Sequence, residues 1–173
     1  MSRIRHIRYN GFTLIELIVV MIVIALLAAT VMLRLSANTQ HKATTQADML
    51  RRNLSHLQLL AISRSVRLRL TVLSGGGSYN VSSCTTSACT ATTALTDPAT
   101  GLDFSVNLAA DEVTLSPAPG TLDFDSLGRP VSGATLITTN PAYTYTLTGS
   151  GNCVDVSVRP ITGFAATATP RAC

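Results

Sequence analysis

Charge is scarce in this chain. Only 13% of its 173 residues are Asp, Glu, Lys or Arg, against about 25% in an ordinary soluble domain. That scarcity argues against a disordered acidic tail protein, and the length leaves room for one domain, or one domain with an appendage, not a multi-domain enzyme. Proline is absent before Pro98, and neither Gly nor Pro interrupts residues 12–74. Residues 1–11 contain no acid. Catalytic signatures are missing too: there is no G-x-S-x-G, no H-E-x-x-H, and no Gly-rich loop followed by Lys-Ser/Thr. Gly75-Gly76-Gly77 has no following basic residue and reads as a flexible turn. An enzyme is therefore not expected.

What is present is concentrated at the start. Nineteen of the 22 residues from Phe12 to Leu33 are apolar, and one, Glu16, is charged. As a helix the run would be ~33 Å long, enough to cross a hydrocarbon core of ~30 Å. Arg3, Arg5 and Arg8 precede it, so the positive-inside rule keeps the N-terminus in the cytoplasm and sends the rest across. From residue 34 onward, 57 of 140 residues are apolar, an ordinary proportion for a soluble domain. A cleavable secretory signal fits poorly: the run exceeds the usual ~7–15 apolar residues, and Ala25, Ala28 and Ala29 do not make an A-x-A site. A plain membrane anchor tolerates the length but leaves Glu16 unexplained. A carboxylate deep in a bilayer costs ~2.5–3.5 kcal/mol on insertion scales and is by default a functional residue.

Glu16 lies in Gly11-Phe12-Thr13-Leu14-Ile15-Glu16, followed by Leu17-Ile18-Val19-Val20-Met21. A short basic leader, this motif and a long apolar helix together resemble the processing site of type IV pilins and type II secretion pseudopilins. The resemblance implies cleavage by a prepilin peptidase between Gly11 and Phe12, then N-methylation of Phe12. It also implies that the helix stays in the inner membrane until a filament takes up the subunit. Gly11 has no side chain to obstruct the scissile bond. Cleavage would leave an ammonium on Phe12, about one helical turn from Glu16. In such filaments the glutamate neutralises a neighbour's N-terminal ammonium, which offsets part of the cost of burying either charge and sets register as a lone buried polar residue does in a coiled coil. Glu16 is thus an assembly residue. The implied partners are other pilin or pseudopilin subunits, the prepilin peptidase and an inner-membrane assembly platform; no cofactor is implied. The family often has a proline near the end of the apolar run, where this chain has Leu33.

Past the membrane the helix is expected to continue. Leu50, Leu54, Leu57 and Ala61 keep helical spacing, with Leu60 beside them, and predict one apolar stripe against a β domain. The period changes near Ser65: Val66, Leu68, Leu70 and Val72 alternate with Arg67, Arg69 and Thr71, which predicts a first strand. Nineteen of 24 threonines fall at or after Thr71. Short strand-like runs follow at Tyr79–Ser82, 102–108, Val113–Ser116, Thr121–Phe124, 135–139, Tyr143–Leu147, Cys153–Val158 and 163–168, and they predict two small antiparallel sheets packed together. Residues 85–100 are Thr/Ala-rich and read as a loop. Phe124-Asp125-Ser126-Leu127-Gly128-Arg129-Pro130 resembles the F-D-x-x-G-R-P turn of GspH/FimT-type minor pilins and pseudopilins. Read plainly it is a β-turn: Gly128 supplies a positive φ, Pro130 stiffens the exit, and Arg129 is solvated or pairs with a nearby Asp. The expected fold is α+β, a long N-terminal helix (transmembrane, then amphipathic) on a small antiparallel β-sandwich-like head. The expected segments are a cleaved leader (1–11), a membrane and filament helix (12–33), its amphipathic continuation (34–65) and a periplasmic β domain (66–173).

The periplasmic side permits disulfides. Four cysteines allow three pairings. The unnested one, Cys84 with Cys89 and Cys153 with Cys173, needs the least chain reorganisation, and its second bridge resembles the C-terminal disulfide loop of many pilins. A zinc site would have only His41 and His56 after processing, spaced neither with each other nor with a cysteine pair. DNA binding is the competing functional reading, because some FimT-like minor pilins are implicated in DNA uptake. Residues 34–69 balance at +6, from seven basic residues and one acid, a plausible electrostatic stripe. Residues 70–173 balance at −4, from three arginines and seven acids, a poor general DNA funnel, although Arg159 and Arg171 near the C-terminus would make a local basic spot. The preferred reading is a structural subunit that joins or primes a type IV pilus-like filament or secretion pseudopilus.

Overall fold

The computed structural model describes residues 14–98 and 100–173, with the backbone alone for 29–40. The leader and the Gly11–Phe12 junction lie outside the described residues. The chain divides into two units, with the boundary between Asn38 and Thr39.

In the first unit the described residues belong to α1 (Leu14–Arg64), which continues into the second. From Leu14 to Leu27 its large apolar side chains face outward, Leu14 at 76% and Ile22 at 53% of their full exposure. Glu16 is exposed among them in the first turn. Among the described residues no helix is long and apolar enough to cross a membrane; described side chains of the apolar run stop at Ala28.

The second unit has a core of its own. α1 contributes Ala43, Ala47, Leu50, Leu54, Leu57 and Ala61, all fully buried. The helix ends where two hydrogen bonds tie off its last carbonyls: Ser65 N–H donates to Ile62 O and Val66 N–H to Ala61 O. This Schellman geometry needs a left-handed residue, and Ser65 adopts φ 52°. Glycine usually fills that position, which is why the sequence shows only a change of period there.

Two antiparallel sheets complete the unit. The larger has the order β3-β2-β1-β6-β7-β8: β3 (Thr92–Ala94), β2 (Ser78–Cys84), β1 (Leu68–Val72), β6 (Gly120–Phe124), β7 (Pro130–Ser132) and β8 (Thr135–Leu136). Its seventh strand, β4 (Ser105–Asn107), pairs with β2. The smaller has the order β11-β10-β9-β5, with β12 also on β10; these are β11 (Ala165–Thr167), β10 (Asn152–Val158), β9 (Tyr143–Gly149), β5 (Thr114–Ser116) and β12 (Arg171–Ala172). Alternation decides what each strand buries. Leu68, Leu70 and Val72 join the core while Arg69 and Thr71 take the other face. Leu115, Tyr145, Leu147, Val154, Val156 and Val158 supply the smaller sheet's share. A part-buried polar tie reaches this interior: Asn53 Nδ2 donates to Tyr79 Oη at 2.7 Å. Burial pushes the Tyr79 hydroxyl up to about 12, against the opposing effect of that bond.

The α+β class and the paired antiparallel sheets agree with the sequence expectation. The stretch 85–100, expected to be a loop, contains β3, whose three residues are all exposed; with no side chain to bury, it has no alternation to read. β7 starts at Pro130, where a missing N–H is tolerated. The runs expected at 102–108 and 135–139 shrink to three and two strand residues.

Candidate functional site

The expected site residues fall into separate groups. Glu16 stands on the outward apolar surface of α1. Gly11 and Phe12 lie outside the described residues. The other groups belong to the head.

The densest polar cluster in the head is built on β1 and β6. Their register sets Arg69 directly opposite Asp123, on the face that alternates away from the buried Leu68, Leu70, Leu122 and Phe124. Asp123 is 3% exposed, a buried charge in a strand. Arg69 reaches it with Nε at 2.6 Å and Nη2 at 2.8 Å, and Arg67 with Nε at 3.1 Å and with Nη2. Hydrogen bonds to Asp123 raise the pKa of the Arg69 guanidinium further. Two cations against one anion leave a surplus positive charge. Backbone carbonyls face that surplus: Arg67 Nη1 donates to Ser87 O, and Arg69 Nη1 to Cys89 O at 2.9 Å. Both carbonyls belong to the loop closed by the Cys84–Cys89 disulfide (Cα–Cα 4.8 Å). The ring therefore fixes two acceptors where the arginines need them. Cys84, Cys89 and Asp123 have potential ligand atoms within 4.8 Å of one another, but both sulfurs are bonded to each other, leaving no thiolate for a metal.

The turn after β6 pairs Arg129 with Asp125, Nη2 to Oδ2 at 2.7 Å. Burial alone would raise the Asp125 carboxyl, yet it lies below the usual carboxylate range. The Arg129 side chain and the backbone N–H groups of Arg129 and Leu127 hold it there. Gly128 has φ +74°, and a Cβ there would come within 2.7 Å of Ile62 Cδ1, so glycine is required both by conformation and by close approach to α1.

Arg159 and Arg171 are not brought together. Arg171 lies opposite Cys153 near the start of β10, and Arg159 follows its end, about 20 Å away along the strand. Arg171 is bidentate to Asp155, and that hydrogen bonding holds the Asp155 carboxyl below its usual range. The basic stripe expected over 34–69 is also partly neutralised. Lys42 pairs with Glu112 and Arg51 with Asp48, each at 3.8 Å, while Arg67 and Arg69 are committed to Asp123. DNA binding is not favoured by this arrangement. The second disulfide, Cys153–Cys173 (Cα–Cα 5.2 Å), ties Cys173, which follows β12, to β10.

Sequence reasoning missed Asp123 as a hub. The available signal was an acid between two core residues, Leu122 and Phe124, in a chain whose first strand carries Arg-x-Arg.

Comparison with known proteins adds two findings. Residues 7–32 match the prokaryotic N-terminal methylation motif. The fold is similar to that of the minor pseudopilin EpsH from the Type 2 Secretion System of Vibrio cholerae, with a TM-score of 0.54 and 15% identity over 74% of this chain and 97% of that one. No curated protein sequence matches the chain.

Proposed function

We propose that the chain is the precursor of a minor pilin or pseudopilin, a structural subunit that assembles into or primes a type IV pilus or a type II secretion pseudopilus. The observation that carries this is the methylation motif over residues 7–32 on a helix whose large apolar side chains from Leu14 to Leu27 are exposed, in a chain with a fold similar to that of a minor pseudopilin. Exposed aliphatic side chains in such number require a lipid or protein environment. A precursor held in the inner membrane, then drawn into a bundle of like helices, supplies both in turn. In this reading a prepilin peptidase cuts between Gly11 and Phe12 on the cytoplasmic side, Phe12 is N-methylated, and the head lies in the periplasm. Glu16 then pairs with the N-terminal ammonium of a neighbouring subunit. In a low-dielectric bundle that pairing favours one axial register, because a shifted helix leaves both charges buried without partners.

Mass spectrometry of the protein from its host tests the processing. The expected product begins at N-methylated Phe12 and lacks residues 1–11; an intact leader in cells with active prepilin peptidase overturns the reading. Glu16→Ala is expected to be processed normally yet to be depleted from sheared filaments. Normal incorporation would remove the pairing role.

A further inference from the structure

The outer face of the larger sheet holds a polar recess that its own fold leaves unused. β2 carries two strands on one edge: β3 pairs with it at residues 82–84 and β4 at residues 78–80. The edge forks between them at Val81, whose N–H donates to Phe104 O and whose carbonyl accepts from Leu95 N–H. Beyond the fork Thr96 is bridged to Asp103. A cavity of about 490 Å3 lies there. Its polar side chains are Thr71, Asn80, Ser82, Thr92, Asp103 and Ser105, and Ala94 and Phe104 supply apolar surface.

Pairing register explains the grouping. Thr71 stands opposite Asn80, and Asn80 opposite Ser105; Ser82 lies two residues further along β2, on the same face. None of the six polar side chains makes a hydrogen bond to protein among the described residues. Polar side chains on neighbouring strand faces do find one another: Arg69 bonds Asp123 in the adjoining row, and Thr146 bonds Asp155 across the smaller sheet. The recess is therefore a place where four strands bring hydrogen-bonding groups together without using them.

The lining selects the ligand. Each of its hydroxyls both donates and accepts, the Asn80 amide does so from separate atoms, and the Asp103 carboxylate only accepts. No basic residue lines the recess, which argues against phosphate-bearing and nucleic-acid ligands. One carboxylate brings too little charge for a tight divalent-cation site. Small-molecule sites of ~300–1,000 Å3 are mostly apolar, so a lining this polar suits a hydrophilic, uncharged ligand rich in hydroxyls. The geometry points to a site for a neutral saccharide, its hydroxyls bonded to these six groups and a C–H face of its ring against Ala94 and Phe104. The assignment stands independently of the filament-subunit reading.

The test presents the full chain, in a detergent without a sugar headgroup, to an immobilised panel of neutral, uronate-bearing and sulfated oligosaccharides. Neutral members are expected to retain it, and the same free sugar to release it. Asn80→Ala with Asp103→Ala should weaken that binding at least about tenfold, with both disulfides formed and the circular dichroism unchanged. Thr144→Ala, on β9 of the smaller sheet, should bind as the unaltered chain does. Ser82→Leu, which fills the recess but leaves Asn80 and Asp103 in place, should abolish binding, and keeps the test decisive if the double variant fails to fold. Retention by no neutral saccharide, preference for the acidic ones, loss on adding a metal chelator, unchanged binding by the recess variants, or an equal loss with Thr144→Ala would overturn the proposal.

Discussion

The described apolar segment of α1 and the head solve opposite problems with similar residues. Between Leu14 and Leu27 aliphatic side chains face outward and the acid among them is exposed. In the head, Leu50, Leu54 and Leu57 are fully buried, and the buried acid, Asp123, is held by two arginines. The head is complete as a folded unit; the apolar segment is completed only by what surrounds it. Substitutions in the head's interior should therefore be read as stability, and those in the segment as assembly.

The sharpest break in this contrast is Asp123→Asn. It leaves the half-buried Arg67 and Arg69 without a counter-charge and should destabilise the head by up to ~3–5 kcal/mol, measured by chemical denaturation followed by circular dichroism. A loss below 1 kcal/mol would mean that the carbonyls of Ser87 and Cys89 suffice. Next, Leu54→Ala should cost ~2–5 kcal/mol through a core cavity, whereas Leu17→Ala should leave head stability unchanged in the same measurement. Equal effects would erase the distinction between the two regions. Replacing Cys153 and Cys173 by Ser should lower stability by ~2–4 kcal/mol, since the bridge constrains a loop of some twenty residues in the unfolded chain. The comparison is with the oxidised protein by thermal melting.

The smallest expected effect is acid sensitivity. Asp125 and Asp155 have folded pKa values below the ordinary carboxylate value. Their stabilisation is fully present above an unfolded pKa of about 3.9 and is lost as pH falls through the lower folded values. Melting temperature should thus hold from pH 7 to 5 and fall below about 4, modestly, because both pairs are solvent-screened. Arg171→Ala should reduce the part of that fall contributed by Asp155.

Periodicity made the architecture legible. The Leu50–Ala61 stripe is the buried face of α1, and the change near Ser65 is where Ser65 turns left-handed. The alternation from Val66 to Val72 separates core leucines from arginines. The charge map was read less well. Counting charges over 34–69 suggested an electrostatic stripe of +6, yet three of its basic residues face acids more than fifty residues onward, at Glu112 and Asp123. Sequence spacing carries no information about such partners, because they are set by which strands pair.

By itself the sequence determined what depends on local order along the chain: the methylation motif, the apolar run with Glu16, the helical stripe and the alternating first strand. Each is a periodicity or a contiguous motif, dictated by backbone geometry. Only the tertiary structure decided which charges survive at the surface, why the Cys84–Cys89 loop faces two arginines, and that Gln58 of α1 donates to the backbone of two distant turns, at Gly128 O and Thr162 O. Those depend on contacts between distant residues, and folding creates them through register and packing.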